Sequence, residues 1–230
     1  MKYKNLVFLV TSHIAKQSLD EVRKYINEEK PNIIALELDK KRLSALTSKG
    51  SRKIELSSIR HIGLKGFLFS LFGAWVERKL GKLVGVAPGS EMKQAIKIAK
   101  KEKIELALID QDIEITLQRL SKAITWKEKV NFLIDVLKAL FLRKTEIEFD
   151  LTTVPDKKII KKLTSKLKER YPNVYRVLIE ERNLVIAENI KKLINSAPDK
   201  KILVILGAGH IDDVLELIKE SKISFSFSIG

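Results

Sequence analysis

The 230-residue sequence predicts a single-domain α/β protein, a mostly parallel central sheet flanked by helices with a helical insertion mid-chain. Three observations predict it. Apolar runs of strand length fall at 4–11, 32–37, 104–109 and 201–206. Segments with apolar residues at helical spacing separate them. The first two runs are joined by a segment long enough for a parallel crossover.

The elements follow in order. KNLVFLVT (4–11) reads as a buried strand. Ser18 and Glu21 have capping-box spacing, and Leu19, Val22 and Ile26 line one face of a helix that ends before Pro31. NIIALE (32–37) is the second buried strand, and Asp39 is placed to cap a short helix through Leu46. Residues 57–80 look helical despite Gly63, Gly66 and Gly73. Pro88-Gly89-Ser90-Glu91 is a helix start with Ser90 as the expected cap, and Met92, Ala95, Ile96 and Ala99 share a face. Ile104–Ile109 is the third strand and runs into Asp110-Gln111-Asp112.

From 113 to 195 the pattern is helical. Thr125 and Glu128 form a capping box for a helix reaching Leu142, Asp156 starts a basic amphipathic helix, and Pro172 begins a long one. KILVIL (201–206), Gly-Ala-Gly-His, a helix at 212–220 and a closing strand at 222–228 complete the chain. The whole reads as one domain, 1–230, in which 57–86 and 113–195 are mainly helical insertions.

Composition narrows the chemistry. The absence of cysteine excludes disulfides and zinc–thiolate sites, so any metal must be held by histidine and carboxylate, a set that suits zinc, cobalt, manganese or iron. The first apolar run is too short for a signal peptide, and the longest, Gly66–Val76, falls short of the roughly 20 residues a membrane span needs. A cytoplasmic protein is expected. The net charge of +15 favours polyanions in general, but a Lys-, Glu- and Ile-rich composition also typifies proteins of hyperthermophiles. Aromatics are not interleaved with the basic residues, so no single-strand stacking platform is predicted and nucleic acid is not the expected partner. Segment 66–76 carries too many apolar residues for one helical stripe, which leaves open a buried helix, a homodimer interface or a peripheral membrane contact.

Polar residues mark one end of the sheet. His13 follows the first strand, Glu37 closes the second, Asp110 follows the third, and His210 follows the last apolar strand. Sites in open parallel sheets form beyond the carboxyl ends of the strands, where loops and helix N-termini converge. Two imidazoles and a carboxylate can hold a divalent ion with positions left for water and substrate. Each histidine alone equally suits a loop hydrogen bond; the coincidence with Glu37 is what raises the functional reading. Gly207-Ala208-Gly209 lets the chain turn and aim amides at an anion, without the third glycine of a dinucleotide fingerprint. Glu91 fits a helix first turn, Asp112 fits an N-cap, and Arg119 and Arg182 lie on helices.

Taken as an ordered set, these motifs resemble the TraB/PrgY (pheromone-shutdown) family. They are Thr11-Ser12-His13, Ala35-Leu36-Glu37-Leu38-Asp39 with Arg42-Leu43, Pro88-Gly89-Ser90-Glu91-Met92, Leu108-Ile109-Asp110-Gln111-Asp112-Ile113 with Thr116-Leu117-Gln118-Arg119, Glu181-Arg182-Asn183, and Gly207-Ala208-Gly209-His210. More distantly they are similar to TIKI metalloproteases and ChaN-like proteins. The resemblance implies a divalent-metal-dependent hydrolase of peptides or small molecules. His13 and His210 become metal ligands, Glu37 a ligand or general base, and Arg182 an electrostatic stabiliser. Glu91 and Asp110 would assist catalysis, while Thr11, Asp112, Arg119, Glu181, Gly207 and Gly209 would support the site. Val10 stands where the family has glycine, Gln111 where it has arginine, and Asn183 where it has aspartate. Those departures admit a second expectation, a non-catalytic protein that binds or sequesters a peptide or small ligand on the same scaffold.

Overall fold

The computed structural model describes residues 1–11, 16–48, 89–142 and 157–220. The elements are β1 (Lys2–Tyr3), β2 (Leu6–Thr11), α1 (Lys16–Glu29), β3 (Ile33–Leu36), α2 (Lys40–Thr47), α3 (Ser90–Glu102) and β4 (Glu105–Leu108). They continue with α4 (Ile113–Ala123), α5 (Trp126–Leu142), α6 (Lys157–Arg170), α7 (Pro172–Tyr175), a π-helical stretch Arg176–Glu180, α8 (Glu181–Ser196), β5 (Ile202–Gly207) and α9 (Ile211–Glu220). The expected helix at 57–80, the apolar segment 66–76, the Asp156 start and the closing strand at 222–228 lie outside the described residues, as does His13.

The sheet runs β1-β2-β5-β3-β4, parallel except for the short β1. The first and second apolar runs are therefore not neighbours. The last strand inserts between them, with Leu6 opposite Ile202 on one side and Ile33 opposite Ile202 on the other. A strand hydrogen-bonded on both edges and covered on both faces must be apolar throughout, and all six residues of β5 are buried.

Alternation along the strands feeds two cores. Leu6, Phe8, Ile33, Ala35, Ile202 and Val204 pack beneath α8 and α9, against Ile186, Ile190 and Val214. Val7, Leu9, Ile34, Leu36, Leu203 and Ile205 face α1 and α3 through Val22, Ile26, Met92 and Ala95. A smaller cluster of Leu120, Val174 and Val177 joins α4 to α7 and the π-helical stretch.

Several local expectations hold. Asp39 caps α2 by accepting from the Lys41 and Arg42 amides, and Asp112 caps α4 through Glu114 N. In the Thr125–Glu128 box, Thr125 N donates to Glu128 Oε2 (2.9 Å) and Glu128 N to Thr125 Oγ1 (3.3 Å). Two caps differ. Gly89 rather than Ser90 precedes α3, because its φ of 75° is one that glycine reaches without strain. Helix α1 is already formed at Lys16, so Ser18 lies inside it rather than at its cap.

Candidate functional site

Insertion of β5 between β2 and β3 brings the loop that follows it against Glu37. Glu37 sits one residue beyond β3, with its amide donating to Ile205 O. Its side chain is almost wholly buried, and Oε2 accepts from Gly207 N at 2.6 Å. That amide ends β5, so Gly207 acts through its backbone N–H. The chain then turns, with His210 N donating to Gly207 O, and His210 O opens α9 by accepting from Val214 N. Gly209 needs no glycine for space, since a Cβ there would meet nothing within 4 Å. Thr11 faces Gly207 across the ladder and accepts from Ala208 N; its buried hydroxyl has no partner among the described residues.

Arg182 organises the centre. Its Nε donates to Asp110 Oδ1 (3.0 Å), and one terminal nitrogen bridges Asp110 Oδ2 and Glu37 Oε1, both at 2.7 Å. The other donates to Leu178 O (3.1 Å), a carbonyl in the widened π-helical turn, and lies 3.4 Å from His210 Nε2. A π turn breaks the regular ladder one turn before Arg182, at the point where the side chain must reach inward. Burial works against the charge of Arg182. The hydrogen bonds to Asp110 and the negative charges of Asp110 and Glu37 outweigh it and raise the pKa above the ordinary arginine value. Asp110 is also bound by Arg42 (2.6 Å) and the Gln111 amide (2.7 Å). Two carboxylates thus face two guanidinium groups.

His210 is fixed from its other side. Nδ1 lies 2.6 Å from Asn183 Oδ1, and Asn183 Nδ2 donates to Asp213 Oδ2 at 3.0 Å. With the amide nitrogen committed to Asp213, the amide oxygen faces the ring, so Nδ1 carries the proton and Nε2 is the acceptor. Nε2 points at Glu37 Oε1, 3.4 Å away. Asn183 Oδ1 therefore accepts the hydrogen bond from the Nδ1–H of His210.

Other expected residues fall elsewhere. Glu91 is buried in the first turn of α3, in the layer across the sheet from Arg182. Arg119 and Glu181 form a two-bond pair (2.6 and 3.1 Å) that ties α4 to α8. Asp112 caps α4 and meets Lys41. Gln111 donates to Thr116 Oγ1. Sequence reasoning gave Arg42 and Asn183 no role in the site, although both stand in its motifs, and it did not mark Asp213. Arg42 was marked by the motif that begins at Ala35 and by its place three residues after the Asp39 cap, whereas nothing local marked Asp213.

Among the described residues, no group of three or more His, Asp or Glu side chains is arranged to hold a metal ion. Glu37 Oε1 and His210 Nε2 are the two described donors that face one another, and the third expected ligand, His13, lies outside. Beside Asn183, between α8 and α9, a cleft of about 280 Å³ opens, lined among others by Glu180, Leu184, Asp213, Glu216 and Glu220.

A parallel sheet with a polar, charge-paired centre at the carboxyl ends of its strands defines the class of protein. The chain belongs to the TraB/PrgY/gumN family, whose model matches residues 4–225. It is 36% identical over 218 residues to an uncharacterized protein of Methanocaldococcus jannaschii, covering 93% of this chain and 53% of that one. It is 24% identical over 193 residues to the TraB domain-containing protein of Homo sapiens and 23% to that of Mus musculus, each match covering 79% of this chain and 50% of the relative. The chain spans about half the length of the curated relatives it matches. No helix among the described residues is long and apolar enough to cross a membrane.

Proposed function

We propose that the protein is a divalent-metal-dependent hydrolase, with peptides as the favoured substrate class. The observation that carries this reading is the Asn183–His210–Glu37 line. A metal-binding imidazole characteristically gives its second N–H to a fixed acceptor, which sets the tautomer and aims the other nitrogen. His210 has that arrangement toward Asn183, and its Nε2 faces a buried carboxylate 3.4 Å away. Neutral imidazole and carboxylate fit zinc, cobalt, manganese or iron, with His13 as the further ligand. A bound ion would supply a water-derived nucleophile near neutral pH.

The chain's own residues divide the remaining work. Arg182 spends every donor on protein acceptors, so its part is to hold Glu37 and Asp110 in place rather than to meet substrate. Gly207 N fixes one oxygen of Glu37 and Arg182 holds the other, Oε1, on the His210 side, from which it would ligate an ion or take up a proton. The cleft beside Asn183, with its carboxylates and leucines, suits a cationic or apolar peptide side chain.

One observation favours a second reading. Arg182 already neutralises the Glu37 carboxylate, as expected of a scaffold that binds or sequesters a ligand without chemistry. Metal content of untagged protein discriminates. Close to one equivalent, lost in the His13→Ala/His210→Ala variant while the circular dichroism spectrum is kept, is the expected result. No metal in either protein after reconstitution would sink the hydrolase reading in favour of the binding one.

A further inference from the structure

Helix α5 carries an apolar stripe that the described residues leave exposed. Trp126, Val130, Leu133 and Ile134 follow one another at helical spacing, and their exposures are 79%, 51%, 58% and 40%. Scattered exposed apolar residues are ordinary; a continuous stripe headed by tryptophan is not.

The charges of α5 are sorted around that stripe. Its sequence, WKEKVNFLIDVLKALFL, holds two acidic residues, and both are engaged by partners within the protein. Glu128 is buried and accepts from Thr125 and Asn173, while Asp135 accepts from Arg170 and Tyr171. The three lysines lie around the outer face. Lys127 and Lys138 are exposed, and the Lys129 ammonium lies 4.8 Å from the centre of the Trp126 ring. Among the described residues, the exposed side of the helix is thus apolar along its middle with lysines beside it, and its partly exposed acid, Asp135, is neutralised by Arg170.

From this sorting we infer that α5 docks onto an anionic lipid surface and lies in the plane of the interface. The aliphatic side chains enter the acyl boundary, Trp126 sits at the polar–apolar transition, and the lysine stems extend so that their ammonium groups meet lipid phosphates. An exposed apolar stripe with lysines beside it suits a deformable anionic bilayer. The net charge of +15 adds long-range attraction to the same surface. This inference is independent of the hydrolase reading.

The test uses the whole chain and two vesicle types, phosphatidylcholine alone and phosphatidylcholine with one third phosphatidylserine. The expected result is co-sedimentation with the anionic vesicles, weakening as salt rises. In a Trp75→Phe background, Trp126 emission should move to shorter wavelength and be quenched by brominated acyl chains. Lys127→Glu/Lys129→Glu should lower the affinity by about tenfold or more, and Val130→Asp/Leu133→Asp should abolish the emission change. These positions are at the surface, so an unchanged thermal midpoint certifies the variants. Failure to sediment with either vesicle overturns the proposal. So does sedimentation that survives Val130→Asp/Leu133→Asp, which would place the contact elsewhere on the chain. A concentration-dependent dimer lost in Leu133→Asp, with no vesicle binding, would assign the stripe to a second copy instead.

Discussion

Replacing Arg182 by methionine keeps the length of the side chain and removes all its donors. The structure sets the size of the effect. Glu37 and Asp110 have side chains that are 1% exposed, and each loses a guanidinium contact of 2.7 Å. Asp110 keeps Arg42 and the Gln111 amide, whereas Glu37 keeps the Gly207 amide and a 3.4 Å approach to His210. Breaking a buried pair by removing one partner costs about 3–5 kcal/mol, because a charge is left uncompensated out of water. With a total stability of about 5–15 kcal/mol, Arg182→Met should still fold, with a thermal midpoint lower by roughly 10 °C. Urea unfolding followed by circular dichroism measures the loss. The Glu37→Gln/Arg182→Met double variant measures its cause. Glu37 is one of the two carboxylates that face Arg182, so neutralising it should restore about 1–3 kcal/mol. A loss below about 1 kcal/mol for Arg182→Met, or strict additivity in the double variant, would refute the assignment of Arg182 as the counter-charge of the centre.

Other predictions concern neighbouring groups. Asn183→Leu leaves the buried Nδ1–H of His210 without its acceptor and should cost about 1–3 kcal/mol, whereas Asn183→Asp retains the acceptor; nitrogen NMR of the imidazole should show the Nδ1–H tautomer in the parent protein, and an Nε2–H tautomer would contradict the hydrogen-bond line. Glu128 bridges the starts of α5 and α7, so Glu128→Ala should lose about 2–4 kcal/mol in chemical denaturation. Burial opposes the charge of Glu128, but the amides of Thr125 and Asn173 outweigh it and lower its pKa below the ordinary 4.5. Its contribution is therefore present above that value and fades as pH falls through the depressed folded one, so the gap between parent and Glu128→Ala should narrow in acid. Tyr171 is pushed up to about 12, by burial first and then by its bond to Asp135. That stabilisation is present below the ordinary tyrosine value of about 10 and lost as pH rises toward the folded one; an ultraviolet phenolate titration should lose its most alkaline step in Tyr171→Phe.

Much of this architecture could be read directly from residue pattern. The buried strands, the Asp39 and Asp112 caps and the Thr125–Glu128 box follow from period, length and local hydrogen-bonding chemistry, which act over a few residues. The family was also legible, because its motifs occur in order along the chain. The placement of Glu37 and His210 beyond strand ends came from the same reading. What the sequence could not determine is which strands adjoin. That choice depends on how apolar faces are buried between layers, and local periodicity says nothing about it. Only the insertion of β5 between β2 and β3 sets Gly207 N against Glu37 and His210 beside Arg182. The roles of Arg42, Asn183 and Asp213 escaped sequence reading for the same reason: each depends on a partner on another element, across separations of 68, 27 and 30 residues. The sequence by itself determined the elements, their caps and the residue types available for chemistry. The tertiary structure decided which of those residues meet, because burial of a charge is tolerable only where another part of the chain supplies its counter-charge.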